Sequence, residues 1–266
     1  MKKTFIALLT LAGVAAGAQN LTIGSSTTGN FDQLNGNNNT ECNISVTETA
    51  TIARIDGSGI NNLTTITLKV ADDATFTING YAKLPYNNTS KTYSTAITLG
   101  NNSSFILTGI LHLGSRNASY TGITQNSTIT FGSGASLTAA SISTVASAGG
   151  TSNLTLNANF AETALQGLAD TTLFGKSFER TLITTTNGLT NYSTSNITLT
   201  SIKELDLLGY SNIGTITSLD ALHAGEYGLL YADNKVKLVG KVIPEPTTAT
   251  LSLLALCGLA ARRRRK

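Results

Sequence analysis

The sequence predicts an all-β protein: a right-handed parallel β-helix with a terminal hairpin, an N-terminal signal helix and a C-terminal transmembrane helix. Three observations predict it. A turn motif recurs at intervals of 29 and 32 residues, period-2 alternation flanks each copy, and long apolar runs are confined to the two chain ends.

The turn motif comes first. "VADDATF" (residues 70–76), "LGNNSSF" (99–105) and "FGSGASL" (131–137) align without gaps. Each has an apolar residue, Ala or Gly, two turn formers, two small residues and a second apolar residue. "ITLKV", "AITL" and "STITF" precede the turns, and "TFTI", "FILTGILHL" and "SLTAASI" follow them. Such alternation marks strands with one face buried, so Ile97 and Leu99 should point inward and Thr98 outward. The pairs Asp72-Asp73, Asn101-Asn102 and Ser133-Gly134 suit a tight change of direction. "NLTLN" at Asn153 and "NITLT" at Asn196 continue the theme with looser spacing. One such unit cannot bury its apolar face alone, and stacking supplies the core. The pattern is similar to autotransporter passengers and other adhesin-like β-solenoids of bacterial surfaces. A competing fold is an antiparallel sandwich, with Asn79-Gly80 as a two-residue hairpin turn.

Residues 160–241 read as a less regular β region. "AETALQGLA" and "SIKELDLLG" are candidates for short helices or insertions, and "GEYGLLYADNKVKLVGKV" is a hairpin about Ala232-Asp233-Asn234. That hairpin should close the last repeat and cover its edge. The predicted organisation is therefore a leader at 1–18, repeats at 19–159, the irregular region with its capping hairpin at 160–241 and a tail at 242–266.

The ends carry addresses. "MKK" followed by "TFIALLTLAGVAAGA" has the basic, apolar and small-x-small parts of a secretory leader, with cleavage expected at Ala16, Gly17 and Ala18 to leave Gln19 first. Residues 243–261 are long enough to cross a bilayer. Arg262, Arg263, Arg264, Arg265 and Lys266 should stay cytoplasmic, because translocating them is costly. Pro244-Glu245-Pro246 is a stiff, extended segment just ahead of the apolar run, a shape that a membrane-embedded peptidase can read. PEP, a short apolar helix and a terminal Arg cluster together resemble the PEP-CTERM sorting signal, whose pattern is also named for the C-terminus of ice-binding proteins. The resemblance covers the tail alone. It implies a bacterial envelope or matrix protein, with signal peptidase and an exosortase as partners. A plain membrane anchor is the alternative reading of the same residues.

The net charge of +3 misleads. Without Lys2, Lys3 and the final five basic residues, 11 of 18 Lys and Arg remain, against 14 of 15 Asp and Glu once Glu245 is set aside. The body is near −3, has no basic stripe for phosphates, and is not expected to bind nucleic acid. Cys42 is the one cysteine outside the tail, which rules out an internal disulfide in the body.

No catalytic residue, metal site or cofactor is predicted. Asp72 and Asp73 read as a solvated turn, His112 as outward-facing between Leu111 and Leu113, and His223 as isolated. The Asn-x-Ser/Thr triplets at Asn62, Asn102, Asn117 and Asn153 follow from composition. Outward Thr67, Thr98, Thr130 and Thr155 invite comparison with the stacked threonines of ice-binding solenoids, but the drifting repeat argues against one strict row. The expected function is structural or adhesive and non-enzymatic, with extracellular polysaccharide as a candidate ligand. The alternative is a glycan-active enzyme on the same scaffold.

Overall fold

A computed structural model of the chain describes residues 18–27, 29–32, 40–58, 63–86, 92–114, 122–144, 150–159, 177–190 and 197–242. Ala16, Gly17, the candidate helix at 161–169, Pro244, Glu245, Pro246 and the basic residues 262–266 lie outside them. Among the described residues no helix is long and apolar enough to cross a membrane.

The fold is all-β, with mostly parallel sheets. The chain visits three sheets in rotation. β1 (Ala18–Ile23) and β2 (Asn30–Asp32) make a first, partial circuit. The second holds β3 (Glu41–Val46), β4 (Ala50–Ile52) and β5 (Arg54–Ser58); the third holds β6 (Thr65–Val70), β7 (Thr75–Ile78) and β8 (Ala82–Tyr86). β9 (Thr92–Leu99), β10 (Ser104–Leu107) and β11 (Ile110–His112) follow, then β12 (Thr124–Phe131), β13 (Ser136–Ala139) and β14 (Ser141–Ser143). The sixth circuit has β15 (Thr151–Ala158), β16 (Ser177–Thr185) and β17 (Leu189–Thr190), and β18 (Ile197–Leu199) begins another. The sheets run β1-β3-β6-β9-β12-β15-β18, β4-β7-β10-β13-β16 and β2-β5-β8-β11-β14-β17.

Register follows the aligned motif. Val70 pairs with Leu99 and Leu99 with Phe131; Phe76 pairs with Phe105 and Phe105 with Leu137. These residues are buried, and the Phe76 and Phe105 rings stack with centroids 5.3 Å apart. Between them the turns also stack. Asp73, Asn102 and Gly134 take φ of 58°, 53° and 73°, a left-handed conformation that Asp, Asn and Gly tolerate better than other residues. The second motif position is Ala or Gly because successive turns nearly touch. A Cβ on Gly100 would come within 2.6 Å of the Asp72 amide nitrogen, and one on Gly132 within 2.5 Å of the Gly100 carbonyl carbon.

β7 and β8 belong to different sheets, so Asn79-Gly80 bends the chain between sheets rather than closing a hairpin. The rows also run past residue 159: Leu154 pairs with Ile197 and Leu156 with Leu199. Among the described residues antiparallel pairing enters only at the end. β20 (Glu226–Ala232) and β21 (Lys235–Lys241) form the expected hairpin, with Asp233 and Asn234 at φ 52° and 57°. Two positive φ values in a two-residue loop match the twist of the flanking strands. β21 pairs antiparallel with β16, and Lys237 reaches Glu179 at 2.7 Å. The segment "SIKELDLLG" yields a one-turn helix, α1 (Lys203–Leu207), followed by Gly209 at φ 85°. β19 (Ser211–Ile216) then lies along β20. Asn212 and Thr215 donate side-chain hydrogen bonds to the Leu199 and Ile197 carbonyls, so β19 seals the end of β18 as well.

Cys42 lies in this core, and burial pushes its thiol from an ordinary 9.0 up to about 12. The folded chain keeps a proton that the unfolded chain loses above pH 9.0. Its contribution to stability is therefore intact below that pH and falls as pH rises toward about 12. A thiol reagent at about pH 8 should leave Cys42 untouched until denaturant unfolds the protein. Rapid labelling of native protein would show that the first circuits open readily.

Candidate functional site

One functional candidate is the outer face of the seven-stranded sheet. Strand alternation sends every second residue outward, and parallel register stacks those residues into rows. One row reads Asn20, Asn43, Thr67, Ala96, Thr128, Thr155, Thr198; the next reads Thr22, Ser45, Lys69, Thr98, Thr130, Asn157. A third runs Ala18, Glu41, Thr65, Ser94, Asn126, Asn153. Side chains bond along the rows: Asn43 to Asn20 at 3.1 Å, Asn153 to Asn126 at 2.9 Å, Thr198 to Thr155 at 3.3 Å and Asn157 to Thr130 at 3.2 Å. In these rows only Glu41 and Lys69 are charged. The four threonines singled out in the sequence divide between two rows, Thr67 with Thr155 and Thr98 with Thr130.

A second ladder follows the turns. Asp72 accepts from the Asn101 backbone N–H at 2.8 Å, and Asn101 Oδ1 accepts from the Ser133 N–H at 3.0 Å. Asp73 Oδ1 accepts from Asn102 Nδ2 at 3.1 Å. The two adjacent carboxylates thus brace the following turn. Arg180 closes the ladder by donating to the carbonyls of Gly132, Ala135 and Asn159.

The six-stranded sheet carries a group that the sequence alone does not reveal. Its outer row aligns Asp56, Lys83, His112, Ser143 and Thr190. Lys83 Nζ lies 3.1 Å from Asp56 Oδ2, which also accepts from the Tyr81 hydroxyl at 2.7 Å. The hydrogen bond to Asp56, then burial, holds the Tyr81 hydroxyl above its usual pKa. Lys83 Nζ sits 4.6 Å from the Tyr81 ring centroid. His112 corrects an expectation: it is on the outward side of its strand but 8% exposed, with Nδ1 2.8 Å from Ser143 Oγ. A polar side chain on an outer row can be covered by its neighbours, which alternation alone cannot register. These residues are 25 to 31 apart in sequence. Carrying the turn-motif interval of 29 residues into the third strands would have aligned Lys83 with His112, but the next interval of 32 overshoots Ser143 by one residue.

Of the predicted sorting residues, Ala18 is described: it starts β1 opposite Glu41. A cut after it leaves five of the six residues of β1. Of Asn62, Asn102, Asn117 and Asn153, Asn102 and Asn153 are described, and both are tied into ladders. His223 is exposed, and among the described residues no three His, Cys, Asp or Glu side chains gather as a metal site. These features define a three-sheet β protein with one broad polar face and one small charged row. The chain matches no family model, no curated protein and no solved structure.

Proposed function

We propose that this chain is an exported bacterial envelope or matrix protein with a structural or adhesive role, sorted by a PEP-CTERM tail. Its body is a right-handed parallel β-helix. Rotation of the chain through three mostly parallel sheets supports that geometry, and right-handed crossovers are strongly favoured between parallel strands.

The observation that carries the adhesive reading is the seven-stranded face. Hydroxyls, amides and methyls stand in register there, about 4.8 Å apart from strand to strand. A rigid array of this kind suits a repetitive, neutral, hydroxylated partner, and extracellular polysaccharide has that chemistry. Fixed donors lose little entropy on binding, so many weak contacts can add. Thr128→Glu with Thr155→Glu should weaken retention in the matrix while leaving the circular dichroism spectrum unchanged. Retention equal to wild type would remove the face from the adhesive role. The enzyme alternative predicts new reducing ends when the protein is incubated with matrix polysaccharide.

Export has its own test. Ala18→Leu should block leader removal, because a bulky residue does not fit where the peptidase takes small ones. Mass spectrometry of both termini of the wild-type protein checks this; a mature chain beginning at Met1 would overturn it.

A further inference from the structure

The three sheets end in six edge strands among the described residues, and five of them are blunted. β2, β4 and β18 have three residues each and β17 has two. β19 is longer, but its register breaks between Asn212 and Thr215, and Gly214 within it takes φ 77°. Short edges and bulges are the ordinary means of preventing edge-to-edge pairing. β1 has none of them. It keeps unbroken register with β3 over six residue pairs and contains no charge and no proline.

Its backbone polarity can be worked out. The Ile23 carbonyl accepts from the Thr47 N–H, so Ile23 faces β3. Each residue of a strand presents its N–H and C=O to one side, and the side alternates. Leu21 therefore also faces β3, while Asn20 and Thr22 aim N–H and C=O away from it. Leu21 is half-buried where the core begins, although the neighbouring column residue Ile44 is buried.

We propose that β1 pairs antiparallel with β1 of a second copy, joining two bodies end to end across a two-fold axis. The proposal rests on the export reading in one respect, since leader removal after Ala18 would free this edge. Residues 19–23 are then five, with Leu21 at their centre. A two-fold axis at Leu21 sets Asn20 opposite Thr22 of the other copy, twice, so the outward-aimed groups exchange hydrogen bonds. Leu21 meets its own counterpart at the non-hydrogen-bonded position, where Cα atoms are about 4.5 Å apart. A second copy fits because the edge is its own complement: it brings no like charges together. The polar rows of two molecules then continue as one face. An isologous contact of this kind closes at two copies.

The test uses protein recovered from the envelope, with its N-terminus sequenced and with Cys42 and Cys257 replaced by alanine. Leu21→Cys should give a disulfide-linked dimer under mild oxidation, since the expected separation lies within the roughly 4.4–6.8 Å that a disulfide spans. Asn20→Cys should stay largely unlinked, because it faces Thr22 and not itself. By light scattering, wild type and Thr22→Ala should be dimeric, and Thr22→Pro, which lacks one edge N–H, should be monomeric. Should Thr22→Pro fail to fold, the two cysteine variants still decide. A monomeric wild type, or a dimer that Leu21→Cys does not link, overturns the proposal. An N-terminus other than Gln19 counts against the export reading, and the cross-link is scored independently of it.

Discussion

Leu99→Asp is expected to leave the body unfolded, whereas Thr98→Asp, one residue earlier, should cost little. Leu99 is 1% exposed and pairs with Val70 on one side and Phe131 on the other. A carboxylate there finds apolar neighbours in both adjacent circuits. It must either be buried charged or take up a proton, and burying it costs several kcal/mol on top of the lost packing. Total stability of a typical domain is about 5–15 kcal/mol, so this single change consumes much of the margin. The damage should also spread, because each circuit buries its apolar face only against its neighbours. Thr98 points to solvent between Lys69 and Thr130. A carboxylate there keeps its hydration and gains a nearby ammonium, an effect worth about 0–1 kcal/mol at a surface. Urea titrations of the two variants give the comparison directly. Equal losses would mean that residues 98 and 99 do not face opposite ways.

The alternation around Leu99 makes that contrast legible in the sequence itself. The turn motif does the same for the register of Val70, Leu99 and Phe131, because gapless alignment of repeats is alignment in space when each repeat is one circuit. Where the alignment loosens, legibility fails for physical reasons. "NITLT" falls in line with "NLTLN" through Leu154 and Ile197, yet 43 residues separate their stacked threonines, Thr155 and Thr198. An interval of that length hides a continuing row. The candidate site is readable in kind but not in arrangement. Outward threonines follow from strand alternation, but their division into two rows depends on an offset of two residues between circuits. The group of Asp56, Tyr81, Lys83, His112 and Ser143 is least visible. Tyr81 and Lys83 share one stretch, but Asp56, His112 and Ser143 lie in others, and the stacking of third strands brings Asp56, Lys83, His112 and Ser143 into one row. His112 shows the limit most clearly: its orientation follows from its neighbours in sequence, its burial from its neighbours in space.

The last expectation concerns the tail, and its effect should be all-or-none in location. In the proposed function, the tail is a temporary anchor: Arg262, Arg263, Arg264, Arg265 and Lys266 hold the apolar run, and Pro244-Glu245-Pro246 presents the site of cutting. Residues 243–261 would span about 28 Å as a helix, close to the bilayer's apolar thickness of about 30 Å. Replacing Pro244, Glu245 and Pro246 with glycine removes the fixed, extended backbone and leaves the apolar run unaltered. That variant should insert normally, remain in the membrane fraction and keep its C-terminus. Deleting residues 262–266 should act earlier, because no charge then halts translocation. The protein should pass into the medium without orderly sorting. An epitope placed before Val242 follows the body through fractionation, and peptide mapping reports whether Lys266 persists. β21 ends at Lys241, so an insertion at that point leaves the hairpin pairing intact. If wild type and the glycine variant fractionate alike and both retain Lys266, the prolines serve only as a linker, and the chain is an ordinary tail-anchored surface protein.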